Sequence, residues 1–84
     1  MTKIKIDVTQ QDIWDGIGED IKHNPIGQAL NRQLKDYRLL PRYIQVGGEL
    51  IKLPLSVVIF MSQSLENARP FSFDLEIPKQ YIKQ

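Results

Sequence analysis

The chain changes its hydrophobic period several times along its 84 residues, and each change predicts an element. Over residues 3–8 polar and apolar positions alternate, which puts Ile4, Ile6 and Val8 on one face of a half-buried strand. Thr9 ends the run and forms an approximate capping box with Asp12. Ile13, Trp14 and Ile17 then make a short helical face that Gly16 and Gly18 stop early. A polar stretch over 19–23 leads to Asn24-Pro25, where the Asn side chain suits an N-cap and the fixed φ of proline suits the first helical position. Beyond it Ile26, Ala29, Leu30, Leu34 and Tyr37 recur at three- and four-residue steps, predicting a second helix with one stripe on the core. Arg32 and Lys35 fall near its C-terminal end, where the macrodipole favours cations.

Pro41 separates this helix from two β-prone segments, 42–46 and 49–53, around Gly47-Gly48; the pair predicts a hairpin with a tight turn. Pro54 opens 55–67, whose first half could be a buried strand but whose length and Met61/Leu65 spacing predict a helix. Phe71, Phe73, Leu75 and Ile77 alternate with Ser72, Asp74 and Glu76 in a half-exposed strand ended by Pro78, and the tail 79–84 is expected to be loose unless Tyr81 and Ile82 pack. The order β-α-α-β-β-α-β over residues 1–84 predicts a single small α+β domain: a four-stranded, mostly antiparallel sheet with helices packed on one face. It is compatible with the ferredoxin-like, split βαβ plan, while a meander with another strand order fits the same elements.

Composition narrows the classes. The longest apolar stretch, 57–61, is far short of the roughly 20 residues that span a bilayer, so no membrane helix is expected. The N-terminal residues lack the continuous apolar region of a secretory signal and read as mature protein. There is no Cys, which removes disulfide and thiolate chemistry and suits a reducing cytoplasm. A small core without staples makes a homo-oligomer the expectation. Eleven basic and ten acidic residues leave a net charge of +1, too little for the whole-molecule field to drive nucleic-acid binding. The charge is segregated, however: the acids Asp7, Asp12, Asp15, Glu19 and Asp20 precede the bases Arg32, Lys35, Arg38 and Arg42, among which Asp36 is the lone acid.

Most candidate chemistry has an ordinary structural reading beside it. His23 is the only imidazole and has no H-x-x-x-H or Cys partner, so it reads as a polar residue at a helix cap. Asp12, Asp15 and Glu19 would share a helix face able to hold Mg²⁺ if the helix reached that far, but they lack the Ca²⁺-loop signature and a solvated acidic face is the better reading. Gly16-x-Gly18 and Gly47-Gly48 lack the rest of a phosphate-binding loop, no cofactor motif is present, and Ser56, Ser62, Ser64 and Ser72 lack the setting of a nucleophile. Phe71 and Phe73 could stack on RNA bases, yet they alternate as a core face does. The basic group is the best candidate surface: Arg32, Lys35, Arg38 and Arg42, with Tyr37 and Tyr43 interleaved, could grip phosphate and stack on a base, against the plainer reading of a solvated helix end.

The stretches "VTQQDIWDGI", "NPIGQAL", "LPLSVVIF" and "RPFSFDLEIP" resemble a family of small uncharacterised proteins encoded by tailed phages, with the pattern V-T-Q-x-x-I-x-x-G, P-I-x-x-A-L, L-P and P-F-S-F-x-L. Many members carry Cys before the helix proline where this chain has Asn24, so no thiol or metal role carries over there. The resemblance implies viral origin and the cytoplasm of an infected bacterial host, and it brings no catalytic residues. Together with the lack of catalytic constellations it leads to an expected function: a non-enzymatic binding protein that counters host defence by occupying a host protein or sequestering an anionic nucleotide signal. The alternatives are a nucleic-acid-binding accessory protein and a small nucleotide-acting enzyme.

Overall fold

The structure is a computed structural model that describes residues 1–16 and 24–83. β1 (Thr2–Val8) pairs antiparallel along its whole length with β5 (Phe71–Ile77), from Thr2 opposite Ile77 to Val8 opposite Phe71. The period-two pattern of both strands decides which face is covered: Ile6 and Val8 are buried with Phe73, Leu75 and Ile77, while Lys3, Lys5, Asp74 and Glu76 face solvent. α1 (Gln10–Gly16) starts at the expected capping box, in which Asp12 accepts from the Thr9 N–H at 2.9 Å and Thr9 Oγ1 accepts from the Asp12 N–H at 3.2 Å. α2 (Pro25–Gln33) starts at Asn24, whose Oδ1 accepts from the Ile26 N–H at 2.8 Å. Its face of Ile26, Ala29 and Leu30 is buried, and α2 packs against both α1 and β1.

α2 stops earlier than its apolar rhythm predicts. Leu34 is already extended, with φ −119° and ψ 153°, and Asp36 takes the left-handed conformation at φ 54°, which Asp tolerates better than most residues. Tyr37, expected on the helix, begins a further strand, β2 (Tyr37–Leu39). The chain leaves the helix because its C-terminal tail supplies partners for the backbone there. The Lys83 N–H donates to the Gln33 carbonyl at 2.7 Å, and the Lys35 N–H donates to the Tyr81 carbonyl at 2.9 Å, bracketing a bridge between Leu34 and Ile82. The Lys83 ammonium also donates to the Asn31 carbonyl. Tyr81 and Ile82 pack against the core, so the tail is a strap up to Lys83 rather than a loose end.

The hairpin forms as its sequence predicts. β3 (Tyr43–Val46) and β4 (Glu49–Lys52) pair with Val46 opposite Glu49, leaving a two-residue Gly47-Gly48 turn. β2 adds to β3, and the sheet order is β2-β3-β4. Among the described residues the strands therefore form two antiparallel sheets, not one four-stranded sheet. The terminal strands do lie side by side, as in a split βαβ, but they pair only with each other, and the hairpin takes β2 as its third strand. α3 (Leu55–Ser62) is shorter than the 55–67 helix expected. It ends where the Ser62 hydroxyl donates back to the Ile59 carbonyl at 2.8 Å, Gln63 is extended, and a 3₁₀ turn (Leu65–Asn67) follows. One apolar cluster joins both sheets and the three α-helices, with Ile6, Leu30, Ile44, Val57 and Ile77 fully buried.

Gly47 has φ +61°, and a Cβ there would lie 2.9 Å from Tyr81 Cζ. Gly47→Ala should therefore lower stability by about 1–3 kcal/mol, combining the left-handed strain with displacement of the tail ring. In a Tyr81→Ala background only the strain, about 1–2 kcal/mol, should remain. Chemical denaturation of the four proteins of this cycle measures both parts.

Candidate functional site

The basic group divides between two sides of the molecule. Arg32 projects from α2 onto α1, where its Nη1 and Nη2 each donate to the Asp12 carboxylate at 2.6 Å, and Nη2 also donates to the Asp7 carbonyl at 2.8 Å. Asp12 is 2% exposed, and the Arg32 bonds hold its carboxyl below the usual range, with burial opposing and the Thr9 amide and hydroxyl assisting. The Arg32 guanidinium is in turn raised by Asp12. This pair clamps α2 to α1 and takes Arg32 out of the candidate ligand set. It also occupies the carboxylate that a Mg²⁺ site would need first; Asp15 accepts from Gln11 at 2.8 Å, and Glu19 lies outside the described residues, as does His23.

Tyr37 is likewise structural. It lies on the core side of β2 opposite Val46, half-buried, with its hydroxyl 3.0 Å from the Gly27 carbonyl and 2.7 Å from the Asn31 side-chain oxygen. Burial raises its pKa. Lys35 is exposed in the connection between α2 and β2, its backbone held by the tail strap.

Arg38 and Tyr43 do come together. The register places Arg38 opposite Gln45, Gln45 opposite Leu50, and Tyr43 opposite Lys52. Ile44, Val46 and Ile51 point to the core side, so Arg38, Tyr43, Gln45, Leu50 and Lys52 share the outer face of the three-stranded sheet. Leu50 and Tyr43 are strongly exposed there. At one end of this face, Arg42 and Lys52 line an open cleft of about 610 Å³ whose wall is Leu53, Pro54, Leu55 and Val58. The hairpin ladder continues into it, the Leu53 N–H donating to the Arg42 carbonyl at 3.0 Å. α3 begins at the same cleft, capped by Pro54 with no side-chain bond to its first amides. Among the described residues, Arg38, Arg42 and Lys52 take part in no ion pair.

Lys52 is the site residue that reading by segments passes over. The two-residue Gly47-Gly48 turn implies its position, because counting outward from Val46 and Glu49 brings Lys52 opposite Tyr43 on the same face. Phe71 and Phe73, the candidate RNA-stacking residues, pack on other rings of the core face: the Phe71 ring centroid lies 4.8 Å from that of Phe60 and 5.7 Å from that of Phe73, with Phe71 half-buried and Phe73 buried. No helix among the described residues is long and apolar enough to cross a membrane. Comparison with protein-family models, curated proteins and solved structures finds no match, so geometry alone speaks for this surface.

Proposed function

We propose that the chain is a phage-encoded, non-enzymatic binding protein that acts in the host cytoplasm by sequestering an anionic nucleotide signal of host defence. The observation that carries this reading is the pair of cations Arg42 and Lys52, without ion-pair partners among the described residues, at the mouth of an apolar cleft that opens at the start of α3. Phosphate oxygens suit the guanidinium, the ammonium and the uncapped helix amides together. A base suits the adjoining phenol of Tyr43 or the wall of Leu53, Leu55 and Val58. The open sheet face also favours a second reading, binding of single-stranded nucleic acid across Arg38, Tyr43 and Lys52. Occupation of a host protein remains the further alternative.

Titration with a panel of nucleoside mono-, di- and triphosphates and with a short oligonucleotide tests these readings. A mononucleotide ligand should bind with defined stoichiometry and little salt dependence, whereas an oligonucleotide should show log affinity falling steeply with log salt. Arg38→Glu with Arg42→Glu should weaken binding at least about a hundredfold, since charged hydrogen bonds contribute about 1.5–3 kcal/mol each. The melting temperature should hardly move, because exposed substitutions stay within about 0.5 kcal/mol. Unchanged affinity in that double variant removes the surface from the function. Native mass spectrometry of the protein from infected cells would show an intact retained ligand if capture, not turnover, is its task.

A further inference from the structure

Away from the cationic face, two features remain without a role. The first is Trp14, the only tryptophan of the chain, which stands 60% exposed on α1 while its neighbour Ile13 is buried. Asp15 beside it is exposed and, among the described residues, accepts only from Gln11 of its own helix turn. The second is the flank of α3. This helix carries no charged residue and buries Val57 and Phe60, yet on the side away from the cationic cleft it leaves Ile59 53% exposed. A helix that is apolar all round is normally covered all round. Along its Ile59 side runs a groove of about 450 Å³, lined by the Phe60–Phe71 ring pair, Gln63, Asn67 and Arg69. Arg69 is exposed and has no ion-pair partner among the described residues, and no carboxylate lines the groove.

These features complement each other in chemistry and position. An indole with a carboxylate next to it matches an aromatic-lined groove with an arginine at its edge. α1 packs against the 3₁₀ turn Leu65–Asn67, and Asn67 lines the groove, so the helix that carries Trp14 and the groove are neighbours on the molecule. A closed, self-complementary contact requires such proximity, because one patch must carry both the ring and the groove that receives it. Within one copy Trp14 remains exposed, which leaves the groove of a second copy to receive it.

We propose that the chain forms a two-fold dimer in which Trp14 of each copy enters the groove beside α3 of the other and Asp15 meets Arg69 across the interface. The contact covers the Ile59 side of α3 and adds apolar burial to a small core that has no disulfide to hold it. It shares no residue with the Arg38, Tyr43, Arg42 and Lys52 surface, so it stands or falls independently of the nucleotide reading.

Sedimentation equilibrium over a concentration series, with tryptophan emission recorded on the same samples, tests this dimer. A mass that rises to twice the monomer, with emission moving to the blue in parallel, is the expected result. Trp14→Ala should weaken association at least about thirtyfold, as for a buried aromatic anchor, and Arg69→Glu about tenfold. Arg69→Glu combined with Asp15→Arg should return it to within about threefold of the original, because the swap restores the attraction with its sign reversed. A monomer at every concentration overturns the proposal. So does a dimer whose tryptophan emission stays constant on association, or one that Trp14→Ala leaves intact.

Discussion

Phe73→Ala should lower the unfolding free energy by about 3–5 kcal/mol, the range for removing a core phenylalanine. Phe73 is 6% exposed and opposite Ile6 in the β1–β5 ribbon, and its ring stacks on Phe71, which itself contacts Phe60 of α3. The ring thus ties the terminal strands to α3 across the core, and the neighbours that would have to collapse into its space are held by two strands registered over seven residues each. Little relaxation is available, so the cavity term adds to the lost burial. Small domains have about 5–15 kcal/mol in total, so the variant should melt some 15 °C or more below the parent. Ser72→Ala, on the solvent face of the same strand, should change stability by less than about 0.5 kcal/mol. Equal effects at the two positions would mean that the inner face of β5 is wrongly assigned.

The second large effect lies at the clamp between α1 and α2. Arg32→Met should destabilise by about 2–3 kcal/mol, because it leaves the buried Asp12 carboxylate with only the Thr9 groups as partners. The figure sits at or below the lower end for a buried pair because the Arg32 side chain is 47% exposed and partly screened. The pair also sets an acid limit. Asp12 has its folded pKa depressed chiefly by Arg32, so its contribution is complete above the ordinary carboxylate range and is lost as pH falls through the folded value. Urea unfolding between about pH 6 and pH 2 should show stability falling on that acid limb. Asp12→Asn should flatten this part of the profile, and Arg32→Met should shrink it. The nucleotide binding proposed for the outer face of the three-stranded sheet should be untouched by either change.

The clamp also shows how far a site can be read from one strand of reasoning. Arg32, Lys35, Arg38 and Arg42 are neighbours in sequence, and spacing alone treats them as one cationic group. Three-dimensional partners separate them: Arg32 meets Asp12, twenty positions earlier, and Tyr37 turns inward onto Gly27 and Asn31. Arg38, Arg42 and Tyr43 keep their exposure and gain Lys52, which arrives from the other arm of the hairpin.

Local chemistry determined the parts of this protein that need only near neighbours. The alternation of β1 and β5, the Thr9–Asp12 box, the Asn24-Pro25 helix start and the Gly47-Gly48 turn are all visible in the sequence, because each is settled by side chains within a few residues of the backbone they satisfy. The end of α2, the extra strand β2, the division into two sheets and the strap of the tail were decided by the tertiary structure. The bonds that settle them join Gln33 to Lys83, Lys35 to Tyr81 and Tyr37 to Gly27. Two of those partners lie near the far end of the chain, and all three pairs come together only when the same apolar cluster folds, so no local pattern announces them.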